Sequence, residues 1–143
     1  MKKCLACTAA MLLFCNPALS QSYDLLTRAE TGDVSAQMIL GDMFAAGEGV
    51  PQDYIESAKW YRLAAKRGIA KAQLSLGLLY SQGQGVQQNI EIAYQWASMA
   101  AAQGAKDAIE ARDLISEQLD AEARDRAQEL AKRCLESQYT QCE

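Results

Sequence analysis

The chain has 143 residues, half of them hydrophobic, with 14 basic residues against 18 acidic ones and a net charge of -4. That balance suits one compact domain and disfavours nucleic acid as a partner, because phosphate binding needs a basic patch. There is no histidine, which removes Ser-His and Cys-His catalysis and the commonest metal ligand together.

Residues 1–20 are set apart by composition. Lys2 and Lys3 precede a nearly apolar run from Cys4 to Cys15, and Pro17 interrupts it. Ala18 and Ser20 then place small residues three and one before a Ser20/Gln21 junction. This pattern predicts a secretory signal peptide, cut from the mature chain. The run falls short of the roughly 20 apolar residues that a membrane span needs. Lipidation at Cys15 is disfavoured by the bulky Phe14 before it. Cleavage leaves 12 basic residues against 18 acidic ones, a net charge of -6, and only Cys134 and Cys142 of the five cysteines. An even pair in an exported chain reads as a disulfide. The expected location is the bacterial periplasm or the exterior, with one domain over residues 21–143 and no stable membrane insertion.

From Ser22 to Thr31 a short helix is expected, with Leu25, Leu26 and Ala29 on one side. The stretch Ala36–Gly68 then returns from Ala72 at a constant offset of 36. Gly41 maps to Gly77, Gly47 and Gly49 to Gly83 and Gly85, Trp60 to Trp96, and Gly68 to Gly104. A fixed period of that size marks a stack of helix pairs. Gly32 falls at the same offset before Gly68, so the first helix is the second half of a truncated unit. The division is a half-repeat over 22–35, repeats over 36–71 and 72–107, and a degenerate unit over 108–143.

Within a repeat, helix A should run from about Val34 to Ala46, with Ala36, Leu40, Gly41 and Phe44 facing its partner. A glycine inside a helix costs about 1 kcal/mol relative to alanine. Gly41 and Gly77 are therefore best explained by close approach of two helix backbones. Gly47-Glu48-Gly49-Val50 makes the turn, its glycines supplying left-handed positions and Val50 filling the gap. A phosphate-binding reading of this Gly-x-Gly lacks the preceding strand and the third glycine. Helix B opens at Asp53, where Glu56 completes a capping box, and at Asn89 in the second copy. Ala58, Trp60, Tyr61, Ala64 and Ala65 form its packing surface, and Gly68 and Gly104 end the two B helices. Both tryptophans read as core rather than as ligand platforms.

After Ala108 the pattern drifts: Asp113 stands at the glycine position and the glycine turn is missing. Ala111, Leu114 and Ile115 still offer an apolar side. Asp120 caps a last helix with a stripe of Ala123, Ala127, Leu130, Ala131, Cys134 and Leu135. A straight helix would hold Cys134 and Cys142 about 12 Å apart, at ~1.5 Å per residue. A disulfide needs their Cα atoms within about 7 Å, so the chain must turn back near Ser137 to Thr140.

The pattern A-x-x-x-L-G-x-x-[FY]-x-x-G-x-G-V, followed by W-x-x-x-A-A-x-x-G, resembles the Sel-one-like repeat family, relatives of the tetratricopeptide repeats. Ala36, Leu40, Gly41, Phe44, Gly47, Gly49, Val50, Trp60, Ala64, Ala65 and Gly68 carry the resemblance, with their counterparts from Ala72 to Gly104. It implies an all-α fold, a right-handed α/α superhelical solenoid that binds protein or peptide partners and uses no cofactor. It also implies that helix A lines the concave face. That nominates Met38, Asp42, Leu74, Leu78, Glu110 and Leu114 as a groove, an apolar strip edged by acids. An amphipathic helix or extended segment carrying Leu and Lys/Arg would suit it.

A non-catalytic adaptor is thus the expected function, with no catalytic or metal-binding residue. The alternative is an envelope hydrolase or binder acting on β-lactam or peptidoglycan fragments, as claimed for some disulfide-rich relatives. A serine enzyme of that sort would use Ser-x-x-Lys. The closest approach is Ser57-Ala58-Lys59, whose positions two apart point to different faces of a helix. Asp113 and Glu117, four apart, read as a solvated face.

Overall fold

The computed structural model of the chain describes residues 17–142, so residues 1–16 of the predicted signal peptide lie outside the described residues. Among the described residues seven helices follow one another: α1 (Pro17–Glu30), α2 (Val34–Ala46), α3 (Tyr54–Ala65), α4 (Ala70–Gln82), α5 (Ile90–Ala102), α6 (Lys106–Ser116) and α7 (Ala121–Glu136). No strand occurs among the described residues. The first helix starts five residues before the expected Ser22 and runs through the Ser20/Gln21 junction.

α2 begins and ends where its periodicity predicts. Asp33 caps it, accepting the Ala36 N–H at 3.1 Å while Arg28 holds the other carboxylate oxygen at 2.6 Å. The turn after it is made as expected, with Gly47 at φ 73° and Gly49 at φ 75°. The capping box at α3 is only half formed. Asp53 Oδ1 accepts from the N–H groups of Ile55 and Glu56. The Asp53 N–H, however, already donates to the Phe44 carbonyl at 2.9 Å. Glu56 therefore has no donor to reach back to, and pairs with Lys59 at 3.2 Å instead. Asn89 repeats the arrangement, its N–H bonding the Tyr80 carbonyl at 3.0 Å.

The two interior glycines do make room, for different neighbours. A Cβ on Gly41 would stand 2.6 Å from the Tyr61 ring, and one on Gly77 would stand 3.0 Å from the Ala93 carbonyl oxygen. α2 packs on α3, α3 on α4, α4 on α5 and α5 on α6, the zigzag of a helical-repeat stack. The main core joins Tyr61, Leu76, Trp96 and Met99 to the alanines of α3 and α5. A smaller cluster of Ala29, Ala36, Leu40 and Trp60 holds α1 to the first repeat.

The last helix leaves this pattern: α7 packs chiefly on α5 rather than on α6. Residues 117–120 join α6 to α7, a connection as short as residues 66–69 between the packed helices α3 and α4, so loop length alone does not place α7. Ala123, Ala127, Ala131 and Cys134 are buried, whereas Leu135 is 44% exposed and Leu130 only half-buried, which corrects the expected stripe. On α6, Ile115 is buried but Leu114 is 64% exposed.

Cys134 and Cys142 are bonded, with Cα atoms 4.5 Å apart. The reversal falls at Gln138 and Tyr139, both at positive φ, and the Tyr139 N–H donates to the Cys134 carbonyl at 2.8 Å. The tail then folds inward. Tyr139 lies against Gly68, and the buried Gln95 amide donates to the Cys142 carbonyl. Reduction is expected to remove about 2–3 kcal/mol of stability by freeing this short loop in the unfolded chain. Thermal melts with and without a dithiol reductant check this, and an unchanged midpoint with two free thiols would refute it.

Candidate docking face

The nominated groove residues occupy two repeat positions, 38/74/110 and 42/78/114, on α2, α4 and α6. Their surroundings differ. Met38 is half-buried against the main core, and Leu74 packs on a satellite cluster of Ala100, Ala101 and Ala108. Asp42 accepts the Tyr61 hydroxyl at 2.7 Å and the Lys71 ammonium at 2.8 Å, so it clasps α2 to both α3 and α4. Burial, then the hydrogen bond to Asp42, pushes the Tyr61 phenol well above its ordinary range, so it stays a donor to that carboxylate. Leu78, Leu114 and Glu110 remain open, at 38% and 64% exposure for the two leucines. α4 and α6, which carry those leucines at equivalent positions, are in contact. The open part of the predicted strip is therefore its α4–α6 half.

Ser57 is fully buried, and its hydroxyl donates to the Gly41 carbonyl at 2.9 Å. It is a strut between α2 and α3. Lys59 stands on the surface, paired with Glu56 and 5.1 Å from the Trp60 ring centre. Among the described residues no cluster of three or more acidic or cysteine side chains could hold a metal ion. None of the described helices is long and apolar enough to cross a membrane.

Two pairs of glutamines were missed by apolar pattern reading. Gln37 and Gln73 are buried and donate to the carbonyls of Ala29 and Ala65, at 3.0 and 3.2 Å. Each stitches an A helix to the end of the preceding B helix. Gln52 and Gln88 donate to the carbonyls of Ala45 and Ser81, both at 2.8 Å, and brace the two turns. The available signal was identity at the 36-residue offset, which polar residues carry as well as apolar ones.

Paired helices, glycine-tuned approach and stitches repeated at one period define an all-α helical-repeat solenoid. A family model described as Sel1 repeat matches residues 34–69 and 70–104, and the chain belongs to the Sel1-repeat family. It is similar to a protective antigen present in uropathogenic Escherichia coli strains, whose crystal structure displays an SLR fold. Identity is 25% and the TM-score 0.77, over 91% of this chain and 30% of that one. A Sel1 repeat protein from Oxalobacter formigenes is 35% identical with a TM-score of 0.65, over 72% of this chain and 42% of that one. The chain thus spans less than half the length of either solved relative. No curated protein matches it.

Proposed function

We propose that the chain is an exported, non-catalytic interaction module that holds a segment of a partner protein against α4 and α6. The observation that carries this reading is the pair Leu78 and Leu114, exposed at equivalent positions of two touching helices. Glu110 and Glu117 stand exposed beside Leu114 and favour a segment with Leu and Lys/Arg. Membership of the Sel1-repeat family supports a protein-interaction scaffold as the function class. The missing histidine and the structural use of Ser57 support a role without catalysis. A buried disulfide supports an oxidising compartment.

Leu78→Asp combined with Leu114→Asp is expected to weaken partner capture about tenfold or more, a loss of hot-spot size. Both side chains are exposed, so the helical spectrum and melting point should change little. Cross-linking in the native envelope, read by mass spectrometry, checks the pair against the parent. An identical set of cross-linked proteins would remove the docking face from α4 and α6.

A further inference from the structure

The outward faces of the two full B helices are built from equivalent repeat positions with different residues, and only the face on α5 is covered by α7. On α5, Glu91, Gln95 and Met99 follow one another at four-residue spacing, hence on one face. α7 and its tail cover all three. Arg126 pairs with Glu91 at 2.6 Å, the Gln95 amide donates to the Cys142 carbonyl, and Met99 lies beside Ala131 and Leu135 with 1% exposure. Thirty-six residues earlier the same positions on α3 hold Ile55, Lys59 and Leu63. These remain open: Ile55 is 69% exposed, Leu63 43%, and the Lys59 side chain 57%. Lys66 and Arg67, exposed one turn beyond Leu63, make no ion pair among the described residues. A basic, apolar-striped helix in a chain of net charge -4 is a local inversion of the molecule's charge.

We propose that the Ile55–Lys59–Leu63 face of α3 docks an amphipathic helix of a partner protein, apolar along one stripe and flanked by Asp or Glu. It would lie on α3 as α7 lies on α5. The apolar pair supplies contact area, and Lys66 and Arg67 select acids at the flanks and repel basic helices, while Lys59 is already paired with Glu56 at 3.2 Å. The α7 of a second copy is a poor occupant. Its docking side brings Arg126 to this basic face, and its tail is tied down by the disulfide in its own chain. This site is separate from the α4–α6 face and does not depend on it.

The probe is a fluorescein-labelled synthetic helix about 18 residues long, long enough to be helical when bound. It carries leucines at alternating three- and four-residue spacing with glutamates on both flanks. Fluorescence anisotropy against the whole protein should show saturable binding that weakens with salt. Ile55→Asp with Leu63→Asp should weaken it about tenfold or more, and Lys66→Glu with Arg67→Glu should do so through charge alone. The charge-reversal pair keeps the test valid should the first pair disturb folding. Leu78→Asp with Leu114→Asp should leave this binding unchanged, which separates it from the α4–α6 reading. Equal binding by the parent and both α3 variants would overturn the proposal. So would binding to phosphatidylglycerol vesicles without binding to the helix, or dimerisation of the chain alone that Ile55→Asp abolishes.

Discussion

Replacing Trp96 with alanine is expected to remove about 3–5 kcal/mol of stability, the range for deleting a large aromatic side chain from a packed core. Trp96 is fully buried among Leu76, Met99 and the alanines of α4 and α5, where those small residues leave space only its ring fills. Domains of this kind have about 5–15 kcal/mol in total, so about a fifth or more of the stability goes with one side chain. Urea denaturation should show a lower midpoint with a similar slope. Trp96→Phe gives the informative contrast. The indole N–H of Trp96 is buried without a hydrogen-bond partner among the described residues, so phenylalanine loses ring volume and no polar contact. Trp60→Ala acts elsewhere, because Trp60 belongs to the smaller cluster that holds α1. Its expected signature is early release of α1 and α2, seen as faster amide exchange there while α4 and α5 stay protected. A single global transition for Trp60→Ala with no change in that pattern would show the two clusters to be one.

Gly85→Ala is the second large effect, and Gly49→Ala is its built-in control. Both glycines sit at equivalent turn positions with nearly equal positive φ, 68° and 75°, so both variants bear about 1–2 kcal/mol for a left-handed alanine. Their neighbours differ. A Cβ on Gly49 would meet only the end of Met43 at 3.5 Å, whereas one on Gly85 would stand 2.0 Å from the Tyr54 carbonyl oxygen. The second turn rests directly on the start of α3, and backbone cannot move aside as a methionine does. Gly85→Ala should therefore cost about 1–3 kcal/mol more than Gly49→Ala, the usual range for forcing an added methyl group into a packed site. Equal losses in urea titrations of the two variants would show that the turn moves off α3 freely.

These two positions also show what was legible in the amino-acid sequence. Both glycines were marked by the 36-residue offset, and the left-handed turn was readable from their type and spacing. The contact that separates them is between repeats, and no local pattern records it. The same division runs through the docking face. Met38 and Leu74 satisfied the expected groove pattern, but both are partly buried, Met38 against the main core and Leu74 against Ala100, Ala101 and Ala108. Asp42 looked like a rim acid and serves instead as an acceptor for Tyr61 and Lys71, partners 19 and 29 residues away. The docking of α7 on α5 is a contact between helices that are not neighbours in the chain, and neither helix's own pattern marks it.

The glutamine stitches carry a consequence for how the stack is held. Gln37 ties α2 to α1 and Gln73 ties α4 to α3, yet the corresponding position on α6 is Ile109. α6 is also the shortest helix, with only Ala108 and Ile115 buried, and the helix after it is anchored independently on α5. What holds α6 is apolar packing, with Ala108 set against Ala100 and Ala101 of α5, and a further contact with α4. The chain's most exposed docking leucine, Leu114, therefore rides on the A helix that is fixed to the helix before it by burial, without the side-chain stitch that ties α2 and α4 to theirs.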